Sequence, residues 1–306
     1  MKQPTKQLLG VSKETCEDRL GRFFSRLCIG IIIILVLGIL YFITSKGLAT
    51  FVENHVHVWA FLTKSVWNPV ATGIDGRPEA GAAAMLVTSF GVTLLAAVVT
   101  TPFAFAVALY LNEYAGKAGR SLLQATLELL VGIPSVVYGY IGLAVVVPAI
   151  RKVYGGTGFG ILAGTIVLFV MILPTVASLA TTSLRAIPRD FRQASLALGA
   201  TKWQTMYRVV LRASAPGLLT AVIFGMARAF GEALAVQMVI GNAVLMPKNL
   251  ISPAATLTSE LTSQIGNTIM GNVANNALWS LALVLLLMSL VFNLLVRFVA
   301  SKGALK

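Results

Sequence analysis

Two charged residues lie inside an apolar stretch that is long enough to cross a membrane. The stretch Pro216–Ile240 has 25 residues, which as a helix rising about 1.5 Å per residue would span a hydrocarbon core of roughly 30 Å. Arg228 and Glu232 lie near its middle, one helical turn apart. A charge at that depth is costly, so such residues usually have a partner or face a water-filled cavity. We interpret the pair as part of a permeation path. The alternative is an intrahelical ion pair that only stabilises the helix bundle.

The loop before this stretch carries signals for two short helices around a turn. Pro188 and Asp190 suit the first turn of a helix, and Gly199 is typical of a left-handed residue that ends one. Thr201 and Gln204 then form a capping-box pattern for a second helix. Neither helix is long enough to span a membrane, so we expect a knob outside the bilayer.

The first of these helices is predicted to be amphipathic. Phe191, Ala194 and Leu198 fall along one face, while Arg192 and Gln193 lie elsewhere on it. An apolar stripe on an exposed knob indicates a surface that another protein covers. An ordinary solvated basic loop, which is the alternative, would need neither the stripe nor the glycine turn.

The knob resembles a known motif. The sequence QASLALG from Gln193, followed nine residues later by Val209-Val210-Leu211, resembles the E-A-A-x3-G-x9-I-x-L-P motif of ABC-importer permeases, the cytoplasmic loop that docks on the ATPase subunit. Gln193, Ser195 and Arg212 replace the Glu, Ala and Pro of that motif, and the missing acidic residue leaves the polarity of the contact open. The resemblance implies a coupling loop (residues 183–212). Its ATPase-coupling residues would be Gln193, Ala194, Ser195, Leu198, Gly199 and Ala200.

Other segments resemble phosphate-importer permeases of the PstC type. They are AVIFGMARAFGEALAVQMVIGN, GIPSVVYG and MILPTVASLATTSLRAIP, and the resemblance covers most of residues 83–242. It implies an all-α fold of the type I ABC-importer permease class. It also implies a second homologous permease subunit, two cytoplasmic ATPase subunits, an extracytoplasmic phosphate-binding protein and inorganic phosphate as partners.

Arginine suits such a substrate. The guanidinium of Arg228 is permanently charged, less strongly hydrated than an ammonium, and able to bind phosphate oxygens bidentately. Glu232 would orient Arg228, or accept a hydrogen bond from a protonated phosphate oxygen, which fully ionised sulfate cannot donate. This is a hypothesis about selectivity.

Composition places the chain in the polytopic membrane class. Of its 306 residues 57% are hydrophobic and 11% charged, and the net charge of +13 falls between the apolar runs rather than on a soluble face that would bind nucleic acid. No phosphate-binding G-x-x-x-x-G-K-[ST] motif occurs, so we expect no cofactor in this chain and ATP in a partner ATPase. His55 and His57 alone do not predict a metal site, and nothing predicts an enzyme.

Six membrane spans are predicted, together forming one domain (residues 28–299). Glu128 and Pro134 are interpreted as structural intramembrane residues of the third span. The expected spans are residues 28–46, 82–110, 122–150, 160–182, 216–240 and 277–299.

The basic residues predict the orientation. Seventeen of the 24 Lys and Arg fall on the side that holds both ends of the chain and the coupling loop, and the positive-inside rule places that side in the cytoplasm of a bacterial cell membrane. An amphipathic segment (residues 1–27) would lie on the cytoplasmic leaflet, and residues 300–306 would form a cytoplasmic tail.

Two other functions stay open. A permease for another oxyanion, such as sulfate or molybdate, would keep the coupling loop and differ around the fifth span. A secondary transporter or channel subunit would have no use for a glycine-hinged knob, and would more often show paired broken helices or proton-relay acids.

Overall fold

The computed structural model describes residues 13–73 and 76–303, which form two compact units, one ending at Lys46 and one beginning at Gly47. The elements of the described residues, in chain order, are α1 (Lys13–Val52), α2 (Val58–Thr63), β1 (Trp67–Thr72), β2 (Pro78–Ala80), α3 (Ala83–Leu109), the π-helical segment π1 (Tyr110–Tyr114), α4 (Lys117–Gly132), α5 (Ser135–Ile141), π2 (Gly142–Val146), α6 (Val147–Tyr154), α7 (Ile161–Arg185), α8 (Arg189–Ala197), α9 (Lys202–Gln204), π3 (Thr205–Val210), α10 (Leu211–Phe230), α11 (Leu234–Ile240), α12 (Leu257–Gln264), a 3₁₀ turn (Ile265–Asn267) and α13 (Val273–Gly303).

The first unit consists of most of helix α1. All 40 residues of α1 are helical, which gives a length of about 60 Å. Helix α1 continues through Leu27–Cys28, the expected boundary between a surface helix and the first span, and it contains no proline that would interrupt it. That the start of α1 lies on the leaflet stays a prediction, and residues 1–12 are outside the described part of the chain.

The number of spans is as predicted. Six helical stretches of the described residues are long and apolar enough to cross a membrane, so the protein is a multi-pass membrane protein. They are Arg19–Val52, Ala83–Tyr114, Ser135–Tyr154, Ile161–Arg185, Lys202–Phe230 and Val273–Val299.

Small residues bring the central helices of the second unit close together. Helix α7 packs against both α3 and α10. Ala104 and Ala108 of α3 and Ala177 of α7 are fully buried between the helices. A Cβ atom on Gly225 of α10 would lie 2.4 Å from Cγ2 of Val176, so only glycine fits at this crossing. Close packing of small residues is the usual basis of helix association in membranes.

The predicted third span (residues 122–150) is interrupted. Helix α4 ends before Ile133, which is extended, and Pro134 caps α5 instead of lying inside one helix. A proline disfavours helical backbone at the preceding residue, so the break follows from the sequence. The Tyr138 hydroxyl donates a hydrogen bond of 2.7 Å to the carbonyl of Leu130. This carbonyl also accepts a long bond of 3.4 Å from the N–H of Ile133, since Pro134 has no N–H to donate the usual helical bond.

The predicted fifth span (residues 216–240) is also interrupted. Helix α10 begins earlier than expected, so Pro216 lies inside it, and it ends at Phe230. Gly231 to Ala233 are not helical, and α11 starts at the next residue. The Thr258 hydroxyl donates a hydrogen bond of 2.9 Å to the main-chain carbonyl of Glu232. This bond satisfies a backbone group that a membrane-embedded break would otherwise leave unpaired.

Over residues 13–73 and 76–303, the fold is all-α apart from one small hairpin between α2 and α3. Strands β1 and β2 are antiparallel, with Trp67 opposite Ala80. Helix α12 starts with a capping box formed by Thr256 and Ser259. Its Glu260 is 5% exposed, and it shares a hydrogen bond with the side chain of Trp67, so α12 and the hairpin are connected.

This buried carboxyl predicts how stability depends on pH. Burial raises the pKa of Glu260, and the hydrogen bond from Trp67 opposes part of this effect. With the folded-state pKa above the unfolded one, the contribution of Glu260 to stability is present at acid pH and is lost as the pH rises through the folded-state pKa.

Glu260→Gln should therefore melt at a higher temperature than the native protein at pH 8, and the difference should shrink at pH 4. Thermal unfolding of the two purified proteins at both pH values measures this. Glu79→Gln changes a half-buried acid of strand β2 and is the control. A destabilised Glu260→Gln at pH 8 would show that the ionised carboxylate is the stabilising form.

Candidate functional site

The guanidinium of Arg228 is held between two helices. Arg228 lies in the last turn of α10 and is half-buried. Its Nη1 donates a hydrogen bond to Oγ1 of Thr175, which directly follows Pro174 inside α7. A neutral hydroxyl group thus holds the guanidinium of Arg228 between two of the six apolar helical stretches.

Glu232 is not the helical partner that the sequence predicts. The interruption of the fifth span places it beyond the end of α10, and the two side chains form no ion pair within 4.0 Å. Its carboxylate instead accepts a hydrogen bond of 3.1 Å from the main-chain N–H of Ala235, in the first turn of α11. The intrahelical ion pair, which was the alternative interpretation of these residues, is therefore wrong. Glu232 instead caps α11.

A small polar cavity adjoins Glu232. It has about 10 Å³ of accessible space, enough for a single water. Its polar lining is formed by Ser89, Thr93, Glu232, Thr256 and Thr258. The unwound backbone around Glu232 is therefore surrounded by hydroxyl groups from α3 and from the start of α12.

The coupling loop has the predicted glycine turn. Helix α8 ends at Ala197, and Gly199 is left-handed with φ of +84°. Thr201 and Gln204 form the predicted capping box with both of its hydrogen bonds. The second helix is not separate from the fifth span, because α9 continues through π3 into α10.

The residues expected to contact an ATPase lie on both sides of α8. Gln193, Ala194, Leu198 and Gly199 are exposed, and Leu198 reaches 89% exposure. Ser195 and Ala200 are half-buried. The apolar stripe thus has nothing within the described chain to bury it.

The inner side of α8 carries contacts that the sequence did not predict. Arg192 forms an ion pair of 3.0 Å with Glu113 of π1, and each side chain is 21% exposed. The Ser195 hydroxyl lies 2.9 Å from that of Thr205 in π3. Glu113 and Arg192 are 79 residues apart, and no local pattern in the sequence links them.

The other predicted residues lie elsewhere. Glu128 is exposed on α4 and accepts a hydrogen bond of 3.1 Å from Gln124. Helix α4 is not among the apolar stretches that could cross a membrane, and Pro134 marks the break after it. The structure does not bring Glu128 and Arg228 together in an ion pair.

Comparison with known proteins gives the family. Residues 100–302 match the family described as "Binding-protein-dependent transport system inner membrane component". The "Probable ABC transporter permease protein YqgH" of Bacillus subtilis (strain 168) is 47% identical over 92% of this chain and 90% of its own length. "Phosphate transport system permease protein PstC" of Pasteurella multocida is 29% identical over 76% of this chain and 77% of its own, and "PstC 1" of Mycobacterium bovis is 31% identical over 78% and 80%.

Solved structures show the same fold. A bacterial ABC transporter involved in the import of the acidic polysaccharide alginate superposes with a TM-score of 0.59, covering 94% of this chain and all of the matched one, at 13% identity. The MetNI methionine ABC transporter gives a TM-score of 0.50 at 24% identity, over 71% of this chain and 93% of the other. The chain therefore belongs to the family of binding-protein-dependent transport system inner membrane components, the permease subunits of ABC importers.

Proposed function

We propose that this permease carries inorganic phosphate and that Arg228 is its contact with the anion. The observation that carries the proposal is that Arg228, inside an apolar helical stretch, is bound by the hydroxyl of Thr175, and no carboxylate of the described residues forms an ion pair with it. Its donors thus remain suited to an oxyanion, which Arg binds in a bidentate manner. The similarity to phosphate permeases supports phosphate over other oxyanions.

A sulfate or molybdate importer is the second candidate, because the YqgH relative's name specifies no substrate. The test is ATP hydrolysis by the complex with its ATPase and binding protein in proteoliposomes, measured with phosphate, sulfate and molybdate in turn. Stimulation by phosphate alone supports the proposal. Stimulation by sulfate or molybdate without phosphate contradicts it.

The coupling loop is proposed to dock on the ATPase subunit. The exposed face of α8 around Ala194 and the 89% exposed Leu198 offers an apolar surface outside the spans, where apolar side chains usually mark a protein contact. We expect one such loop from this chain and one from a second, homologous permease to contact two ATPase subunits, which supply the bound ATP. An extracytoplasmic phosphate-binding protein completes the assembly.

From the charge bias we propose that the coupling loop and both chain ends lie in the cytoplasm of a bacterial cell. Cysteine labelling tests this orientation in intact cells, in a background with Cys16→Ser and Cys28→Ser. Asn267→Cys should react with a membrane-impermeant reagent, whereas Lys202→Cys should react only after the cells are opened. Both positions are exposed, so accessibility within the chain does not bias the comparison. Labelling of Lys202→Cys in intact cells would invert the topology.

A further inference from the structure

Arg192 fastens the inner side of α8 to the ends of two membrane helices. Its Nε and Nη2 both lie 3.0 Å from Oε1 of Glu113, in the π-helical end of the second span. Its Nη1 donates to the carbonyl of Ile187 at 3.1 Å, and Nη2 donates to that of Leu184 at 3.2 Å. Leu184 belongs to the last turn of α7. One guanidinium therefore connects α8, α7 and π1.

The pair differs from an ordinary surface ion pair. Each side chain is 21% exposed, so solvent screens the charges less than on an open surface. The additional bonds to main-chain carbonyls fix the orientation of the guanidinium. Breaking the pair would leave the carboxylate of Glu113 partly buried without its partner.

A second contact lies one turn further along α8. The Ser195 hydroxyl is 2.9 Å from the Thr205 hydroxyl in π3, the segment that continues into α10. Residues three apart on a helix lie on nearly the same side, so Arg192 and Ser195 both bind the body of the protein. The opposite side of α8 presents the exposed Ala194 and leads to Leu198.

In both contacts the residue that α8 binds lies on a π-helical segment, Glu113 on π1 and Thr205 on π3. A π-helical segment shifts the main-chain hydrogen bonds of a helix by one residue, and such segments are frequent at functional sites. Segment π1 ends α3, and π3 precedes α10, which carries Arg228 in its last turn. A displacement of α8 would therefore act on α3 and α10, two of the helices that pack against α7.

We propose that the Arg192–Glu113 pair transmits movement of α8 to the membrane helices, with Ser195–Thr205 as a weaker second link. Arg192 and Glu113 are positioning residues that do not touch the substrate. The inference rests on the proposed function, because it assumes that an ATPase subunit moves α8 and that Arg228 binds the transported anion.

The test measures ATP hydrolysis and phosphate uptake in the same proteoliposomes. Glu113→Gln and Arg192→Gln should lower the phosphate moved per ATP by about tenfold, while the complex still contains its ATPase subunits. The double variant should be no worse than either single one, because both remove the same interaction. Ser195→Ala should have a smaller effect. Lys117→Gln, an exposed basic residue at the start of α4 and outside the coupling loop, is the matched control and should keep the native ratio.

Several results distinguish the inference from the function on which it rests. If the native complex hydrolyses ATP but moves no phosphate, the proposed function fails. If the native complex is active and the Glu113→Gln complex moves as much phosphate per ATP as the native one, only the transmission role is wrong. Loss of the ATPase subunits from Glu113→Gln would also contradict it, since the pair would then only shape the docking surface. Arg192→Lys guards against misfolding, because it keeps the charge but not the forked geometry, and it should give an intermediate ratio.

Discussion

Replacing Arg228 by glutamine is expected to abolish phosphate uptake while the protein remains in the membrane. An amide lacks both the charge and the five donors of a guanidinium, and we expect a loss of about 100-fold or more, as when a charge-stabilising donor is removed from an active site. Glutamine forms helices as readily as arginine, so α10 and its packing against α7 should survive. The measurement is uptake of labelled phosphate, normalised to the amount of permease in the membrane.

Two further variants separate charge, geometry and pairing. Arg228→Lys should restore little uptake, because an ammonium keeps the charge but cannot bind two oxygens in a fork. The double variant Arg228→Gln with Glu232→Gln should stay inactive, because the structure shows no ion pair whose loss the second change would compensate. Uptake recovered in the double variant would mean that Arg228 serves only to neutralise Glu232. Native uptake by Arg228→Gln would remove it from the path altogether.

The second large effect is expected at Gly199. Its φ of +84° is accessible to glycine at no cost, whereas a β-branched residue there is strained. No atom of the chain lies within 4 Å of a Cβ placed on Gly199, so the strain arises from the backbone and not from a clash inside the protein. Gly199→Val should distort the turn beside Leu198 and reduce uptake by about tenfold, since the left-handed conformation costs on the order of 1 to 2 kcal/mol.

The controls for Gly199 separate backbone strain from added bulk. Asparagine tolerates the left-handed region, so Gly199→Asn should retain most of the uptake. Gly116→Val places the same side chain at a glycine with negative φ and open surroundings, and it should be nearly neutral. Co-purification of the ATPase subunit with each variant reports on docking. Full uptake together with full ATPase binding by Gly199→Val would contradict the proposed role of the coupling loop.

The sequence was most informative where local chemistry determines the structure. Six apolar stretches, the left-handed Gly199 and the capping box at Thr201 are all as predicted, because each depends on residues close together in the chain. The interruptions after Gly132 and Phe230 were missed. Hydrophobicity over a window reports whether a segment prefers lipid, and it does not report whether the main-chain hydrogen bonds continue through it.

For the candidate site too, local features were predicted from the sequence and contacts between distant residues were not. Arg228 stood out because a charge in an apolar segment is costly, but its partner Thr175 is 53 residues away, and no pattern in the sequence links the two. Glu232 was assigned to Arg228 because a continuous helix would bring them together, and the break at Gly231 removes that geometry. The pairing of Glu113 with Arg192 depends on how α3 and α8 meet in space. Such contacts follow from packing, which one sequence does not reveal.

The break after α10 also determines which groups lie beside the guanidinium of Arg228. With Glu232 turned toward α11, the guanidinium of Arg228 lies at the carbonyl end of a helix, whose partial negative charge stabilises a cation without a neutralising side chain. Under the proposed function, an anion that reaches Arg228 exchanges places with an uncharged hydroxyl and does not compete with a carboxylate. Such an exchange is easily reversed, because the cation is tolerated both before the anion arrives and after it leaves. A transport site needs this property more than it needs tight binding.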